Sequence, residues 1–223
     1  KSALLILILA PEIYFPLRNA AALFHASVDG TETLNQIQNI PANYPSEKTS
    51  SDFLESELIT LGKGQRVFLV GDTGVGKTTH ALKLLDKYSD IAWIPQNPKL
   101  ASGSVRNQFK LINPEINDEQ IINILDQVGL AVNQLPNGLN SNLEAGSELI
   151  SSASGGQIRK LSVARALAKN AKFIIADEPT ADLDQISAKT IMDVLRNQPA
   201  GLLVITHDYD AIKDGDTVVR MVK

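Results

Sequence analysis

Beyond residue 64 the hydrophobic positions fall into short continuous runs separated by amphipathic stretches of helical length. The runs QRVFLV (65–70), IAWIP (91–95), KFIIAD (172–177), GLLVITH (201–207) and DTVVRMV (216–222) read as strands, most of them buried on both faces. Between them KTTHALKLLDKY (77–88), NDEQIINILDQVGL (117–130) and IRKLSVARALAKN (158–170) read as helices. The second of these opens on an Asn/Asp cap and places Ile121, Ile124, Leu125 and Val128 on one face. Strands alternating with helices predict an α/β fold: a mainly parallel sheet with helices on both faces.

The first forty residues do not share this pattern. SALLILILA (2–10) is continuously apolar but far short of the roughly 20 residues that a spanning helix needs, and Pro11 follows at once. Two readings stand. One is a buried strand or a signal-peptide core; the other is the last turns of a membrane helix that begins outside this sequence. Residues 12–39 carry apolar positions at helical spacing, interrupted by Pro16 and Gly30, and residues 41–53 read as a linker rich in Pro, Ser, Lys and Asp. The chain of 223 residues suffices for one full-sized domain with an appendage, and it starts at Lys1, as a fragment would. A net charge of −4 argues against a nucleic-acid partner, and with no cysteine there is no disulfide framework or thiol chemistry.

The chemistry begins where the first of these strands meets a helix. VFLVGDTGVGKTT contains Gly71-x-x-x-x-Gly76-Lys77-Thr78, behind a strand and ahead of a helix, the context a phosphate-binding loop requires. Glycines let the backbone N–H groups of Gly71, Asp72, Thr73, Gly74, Val75 and Gly76 curl around a β-phosphate. Lys77 adds a point charge towards the β/γ oxygens, and the Thr78 hydroxyl is placed to hold Mg²⁺. These residues predict a nucleoside triphosphate site and leave open what the energy is used for. FIIADEPTADLD ends an apolar run on Asp177, at the carboxyl edge of a strand where ligands sit in open α/β sheets. Asp177 would support the metal through a water. Glu178, next to it and followed by Pro179, can polarise the attacking water, although an acid after a strand is commonly just a solvated loop residue. His207 closes VITH at the same sheet edge, which favours a γ-phosphate contact over mere packing. Gln96, just beyond IAWIP, is a further polar residue at a strand end.

SSASGGQIRK (151–160) then sets two glycines, each costing about 1 kcal/mol against Ala in a helix interior, directly where a helix is to begin. Bare N–H groups at a helix start suit an anion, yet the chain already has a phosphate loop.

Together these residues resemble the ATPase domain of ABC transporters, over about residues 54–222 and with the motifs in the expected order. They are the Walker A loop (Gly71 to Thr78 and Thr79), the Q-loop (Gln96), the signature loop (Ser154, Gly155, Gly156, Gln157), Walker B (Phe173 to Asp177), catalytic Glu178, the D-loop (Ala181 to Asp184) and the H-loop (His207). The resemblance implies a P-loop NTPase that binds ATP and Mg²⁺, the metal near Thr78, Gln96 and Asp177. It implies a helical subdomain at about 97–170 within an ATPase domain at 54–223. It also answers the question of the second glycine pair. In this family two such domains, alike or different, pack head to tail, and the signature loop of one closes on the nucleotide held by the other. APEIYFPLRNAAALFHASVDGTETLNQI resembles the end of the membrane domain in bacterial exporters that move cysteine and glutathione during cytochrome bd assembly. On that likeness residues 1–40 are the end of a membrane domain, and the protein works at the cytoplasmic face of the bacterial inner membrane.

The departures from the family's pattern carry expectations of their own. The signature begins on Ala153 where the family usually has Leu. Between Lys77 and Gln96 lie only 18 residues (78–95), about half the family's usual stretch. The missing part normally builds antiparallel strands beside adenine, so that part of the fold should be reduced. Tyr44 matches the aromatic that usually stacks on adenine, and reads equally as a turn tyrosine before Pro45. Two other functions stay open: an ABC-class ATPase unconnected with transport, and a remnant that binds nucleotide without turnover.

Overall fold

The structure, a computed structural model, describes residues 48–143 and 155–222. The expectations for residues 1–47 and for Ser154 lie outside the described residues. Glu47–Lys223 forms one compact unit. At its centre five strands lie parallel in the order β4-β5-β6-β3-β7. They are β3 (Arg66–Gly71), β4 (Ile91–Ile94), β5 (Phe173–Asp177), β6 (Gly201–Ile205) and β7 (Thr217–Met221). All five were legible as apolar runs. A separate antiparallel hairpin, β1 (Phe53–Glu55) with β2 (Thr60–Gly62), is the reduced antiparallel part that the short 78–95 segment implies.

Strand periodicity sorts the core into two layers. Phe68, Ala92, Ile94, Ile174, Ala176, Leu202 and Val204 face one cluster, together with Phe109, Ile121, Leu125, Leu161 and Ile191. Those partners come from α2 (Val105–Lys110), α3 (Asp118–Gln127), α4 (Gly155–Ala168) and α5 (Gln185–Arg196). Val67, Leu69, Ile91, Phe173, Ile175, Leu203 and Ile205 face the other, against Ala81 and Leu84 of α1 (Lys77–Lys87) and against Leu54, Ile59 and Leu61 of the hairpin. Helices thus cover both faces, as the alternation predicts. Among the described residues no helix is long and apolar enough to cross a membrane.

The helix starts follow local chemistry. The Asn117 side chain accepts from the Gln120 N–H while Gln120 reaches back to the Asn117 N–H, a reciprocal cap that sets the start of α3. Asp184 Oδ1 accepts from the Ser187 N–H at 2.9 Å and starts α5. Thr49, just before β1, is tied to the end of α1 and the residues after it. The Thr49 N–H donates to the Lys87 carbonyl at 3.1 Å, and the Ser89 N–H donates to the Thr49 carbonyl at 3.1 Å.

Candidate active site

The phosphate-type loop runs from β3 to α1, and its glycines answer two different demands. Gly71, at φ 150°, passes so close to β7 that a Cβ would lie 2.3 Å from the Met221 carbonyl oxygen. Gly76 caps α1 at φ 98°, in the left-handed region that side chains avoid. Lys77 Nζ donates to the carbonyls of Gly71, at 2.7 Å, and Asp72, at 2.9 Å, so its charge lies inside the curl of the loop. Thr78 and Thr79 are exposed beside it.

Thr78 Oγ1 donates to Asp177 Oδ2 at 2.6 Å, joining the loop to the end of β5. Asp177 is 2% exposed. Burial pushes its carboxyl pKa up, the Thr78 hydrogen bond opposes that, and the adjacent Glu178 charge adds to the rise. A buried carboxylate and a hydroxyl in contact are hard oxygen groups of the kind Mg²⁺ takes, one or two from the protein with phosphates and waters filling the rest. Among the described residues no cluster of three or more His, Cys, Asp or Glu could hold a metal by protein ligands alone.

One residue further on, the backbone turns out of the strand. The Glu178 N–H still donates to the Ile205 carbonyl at 2.9 Å, extending the β5–β6 ladder, but its φ is 48°. That conformation is uncommon for a non-glycine residue and is typical of functional sites. It turns the carboxylate onto the end of β6. Oε1 accepts from the His207 N–H at 3.1 Å and contacts His207 Nδ1 at 2.8 Å, and Oε2 accepts from Thr206 Oγ1 at 3.2 Å. Oε1 is thereby fully used, while Oε2 keeps a lone pair. The Glu178 hydrogen bond and charge raise the His207 pKa. The ring itself is exposed.

Gln96 is exposed just past β4, with its carbonyl held at 2.6 Å by Arg159 Nη1. Gly155, Gly156 and Gln157 form the first turn of α4, and a Cβ on Gly155 would sit 3.8 Å from Asp182 Cβ. The structure therefore gathers Lys77, Thr78, Asp177, Glu178 and His207 at one sheet edge, and it brings the start of α4 to the Asp182 loop. Asp184 acts locally as a cap. Tyr44 and Ser154 are outside the described residues. Sequence reading missed Arg159, which looks like an ordinary polar helix position. Its one signal is that α4 buries residues all round, from Arg159 and Leu161 through Ala168, so a charge on it is enclosed.

Residues 85–181 match the family model described as ABC transporter. The glutathione/L-cysteine transport system ATP-binding/permease protein CydD of Escherichia coli (strain K12) is 26% identical, covering 96% of this chain and 45% of that protein. CydC of the same system and organism is 28% identical, over 95% of this chain and 39% of its own length. The ATP-dependent permease MDL1 of Candida albicans is 29% identical, over 82% and 31%. The chain spans less than half the length of these relatives. The structure of a bacterial Atm1-family ABC exporter with ATP bound shares the fold, with a TM-score of 0.68 at 19% identity over 90% of this chain and 43% of the other.

Proposed function

We propose that this chain, whose residues 85–181 match the family model described as ABC transporter, is the nucleotide-binding part of an ABC exporter subunit, which hydrolyses ATP to drive transport across a membrane. The observation that carries this reading is the contact chain at one sheet edge: Lys77 within its loop, Thr78 on Asp177, and Glu178 on His207. Lys77 and the loop N–H groups from Gly71 to Thr79 bind the triphosphate. Mg²⁺, held by Thr78 with Asp177 and Gln96 behind it, would neutralise phosphate charge. Glu178 takes the proton of the attacking water through Oε2, and His207, fixed through Nδ1, presents its other nitrogen to the γ-phosphate. Ser154, Gly155, Gly156 and Gln157 close on the nucleotide of a second ATPase domain, like or unlike, in a head-to-tail dimer. The likeness to CydD and CydC, whose names specify glutathione and L-cysteine transport, supports a thiol cargo and a fused membrane domain, with residues 1–40 as its end. It also supports a place at the cytoplasmic face of a bacterial inner membrane.

Glu178→Gln tests the assignment, because it keeps size and hydrogen bonding but loses the base. ATP binding should stay within a few-fold of the parent, and steady-state turnover should fall by roughly 10²-fold or more. Turnover near the parent level would reject the assignment.

A further inference from the structure

Arg159 is 3% exposed, yet no buried carboxylate pairs with it: Asp177, also buried, feels its charge without a hydrogen bond between them. Nη1 donates to the Pro95 carbonyl at 3.2 Å and the Gln96 carbonyl at 2.6 Å. Nη2 reaches Asp182 Oδ2 at 3.5 Å, on a side chain that is 75% exposed. Nε is buried with no hydrogen-bond partner. A guanidinium so enclosed, compensated by two carbonyl dipoles, one exposed carboxylate at 3.5 Å and the unpaired charge of Asp177, is a poor stabilising device, and an apolar side chain of similar volume usually serves a core at least as well. What the arginine offers is reach. From one turn inside α4, its planar fork touches the strand exit that carries Gln96 and the loop that leads from Glu178 to Asp184. Asp182 is held at φ 63°, a left-handed conformation uncommon for an aspartate, between the turn hydrogen bonds of Ala181 to Glu178 and Leu183 to Thr180. Its Cβ is also what a Cβ added to Gly155 would meet, at 3.8 Å.

We propose that Arg159 is a positioning residue, a three-way tie that makes the Gln96 loop, the Asp182 loop and the start of α4 move as one body. The proposal rests on the reading of this site as an ATPase, since those three segments are the ones that reading places around the nucleotides. A shift of either loop would then be transmitted to the other through the guanidinium, with Glu178 only four residues from Asp182.

Hydrogen exchange on the 223-residue chain, read in peptides spanning 91–98 and 179–184, tests the tie without reference to turnover. Asp182→Asn is a surface change that leaves the core intact. It should speed exchange not only in 179–184 but also in 91–98, by about two- to fivefold, the range expected of one partly exposed ion pair. Arg159→Met, which fills the same space without charge, should loosen both segments further. The double variant should match Arg159→Met alone, because the path is already cut. In ATPase assays Arg159→Met should lower kcat about ten- to hundredfold while KM for ATP stays within about threefold, the pattern of misplaced rather than missing groups. Unchanged exchange at 91–98 in Asp182→Asn, or effects that simply add in the double variant, would overturn the tie. A parent chain that binds no ATP and shows no turnover would remove the ATPase reading instead, and the exchange data would still decide the tie.

Discussion

Asp216 carries more of the fold than its place in a surface turn suggests. It makes a two-pronged pair with Arg196, Nη1–Oδ1 at 2.9 Å and Nη2–Oδ2 at 2.6 Å, and both side chains are largely buried. The Arg196 guanidinium lies 5.0 Å from the centre of the Phe68 ring, and Arg66 donates to the Ala200 and Gln198 carbonyls alongside. Burial pushes the Asp216 carboxyl up, but the Arg196 hydrogen bond, the Lys213 N–H and the charges of Arg196 and Arg66 outweigh it and hold the pKa below the ordinary value. A depressed carboxylate pKa gives stability that is present above the unfolded-state value, about 3.9, and is lost as pH falls through the folded value. Asp216→Asn should therefore destabilise the chain by about 3 kcal/mol at neutral pH, since it strands a buried cation. The gap to the parent should close as pH drops below about 4. Urea unfolding across pH 3–7 measures both, and a gap independent of pH would refute the charge argument. Asp177 and Glu178 could be read from sequence because an apolar run ended on them. Asp216 and Arg159 could not, since what matters at both is which carbonyls and rings lie across the fold, which local spacing does not encode.

At the scale of elements, the long buried strands and the capped helix α3 announce themselves through periodicity and cap chemistry. The elements that did not are short or mixed. α2 has six residues, and α5 begins QISAKT, with its buried Ile191, Met192 and Leu195 confined to the second half. β1 and β2 have three residues each and one buried side chain apiece, Leu54 and Leu61, too little for alternation to register. That hairpin is the one antiparallel sheet among the described residues, beside a single antiparallel bridge between Ser104 and Asn142. If purine recognition normally leans on such strands, binding here should rest on the triphosphate, and GTP should compete with ATP almost equally. Competition binding with a labelled nucleotide measures this. A preference for ATP of tenfold or more, about 1.4 kcal/mol, would show that an adenine contact survives, with Tyr44 the first residue to replace.

For the whole molecule the open question is how many chains make one site. α1 begins where β3 ends, whereas α4 packs against β4 and starts at the Asp182 loop that follows β5, and β6 lies between β3 and β5. One chain is poorly arranged to bring both helix starts onto one γ-phosphate. Lys77→Ala should abolish binding at its own site, and Ser154→Arg should block closure by bulk and charge while leaving binding intact. Mixing the two should restore ATP-dependent dimerisation or some hydrolysis if the contact is between chains, because one site of each mixed dimer keeps both sound residues. A parent that dimerises with ATP beside a mixture that never does would count against it. The strand order has a further consequence, for how the protein is made. β3, which holds the phosphate loop, has no neighbour from the first half of the chain: Arg66 pairs with Leu202, and Val67 with Thr217. β6 is also the strand that joins β3 to β5. During synthesis the loop therefore leaves the ribosome long before its support exists, and Thr78 cannot be held against Asp177 until residues 201–205 have emerged. Folding that depends on such distant pairing is slow and leaves apolar strands open to aggregation meanwhile. The segment from β6 to β7 is thus the stretch whose arrival gives the phosphate-type loop its neighbours in the sheet.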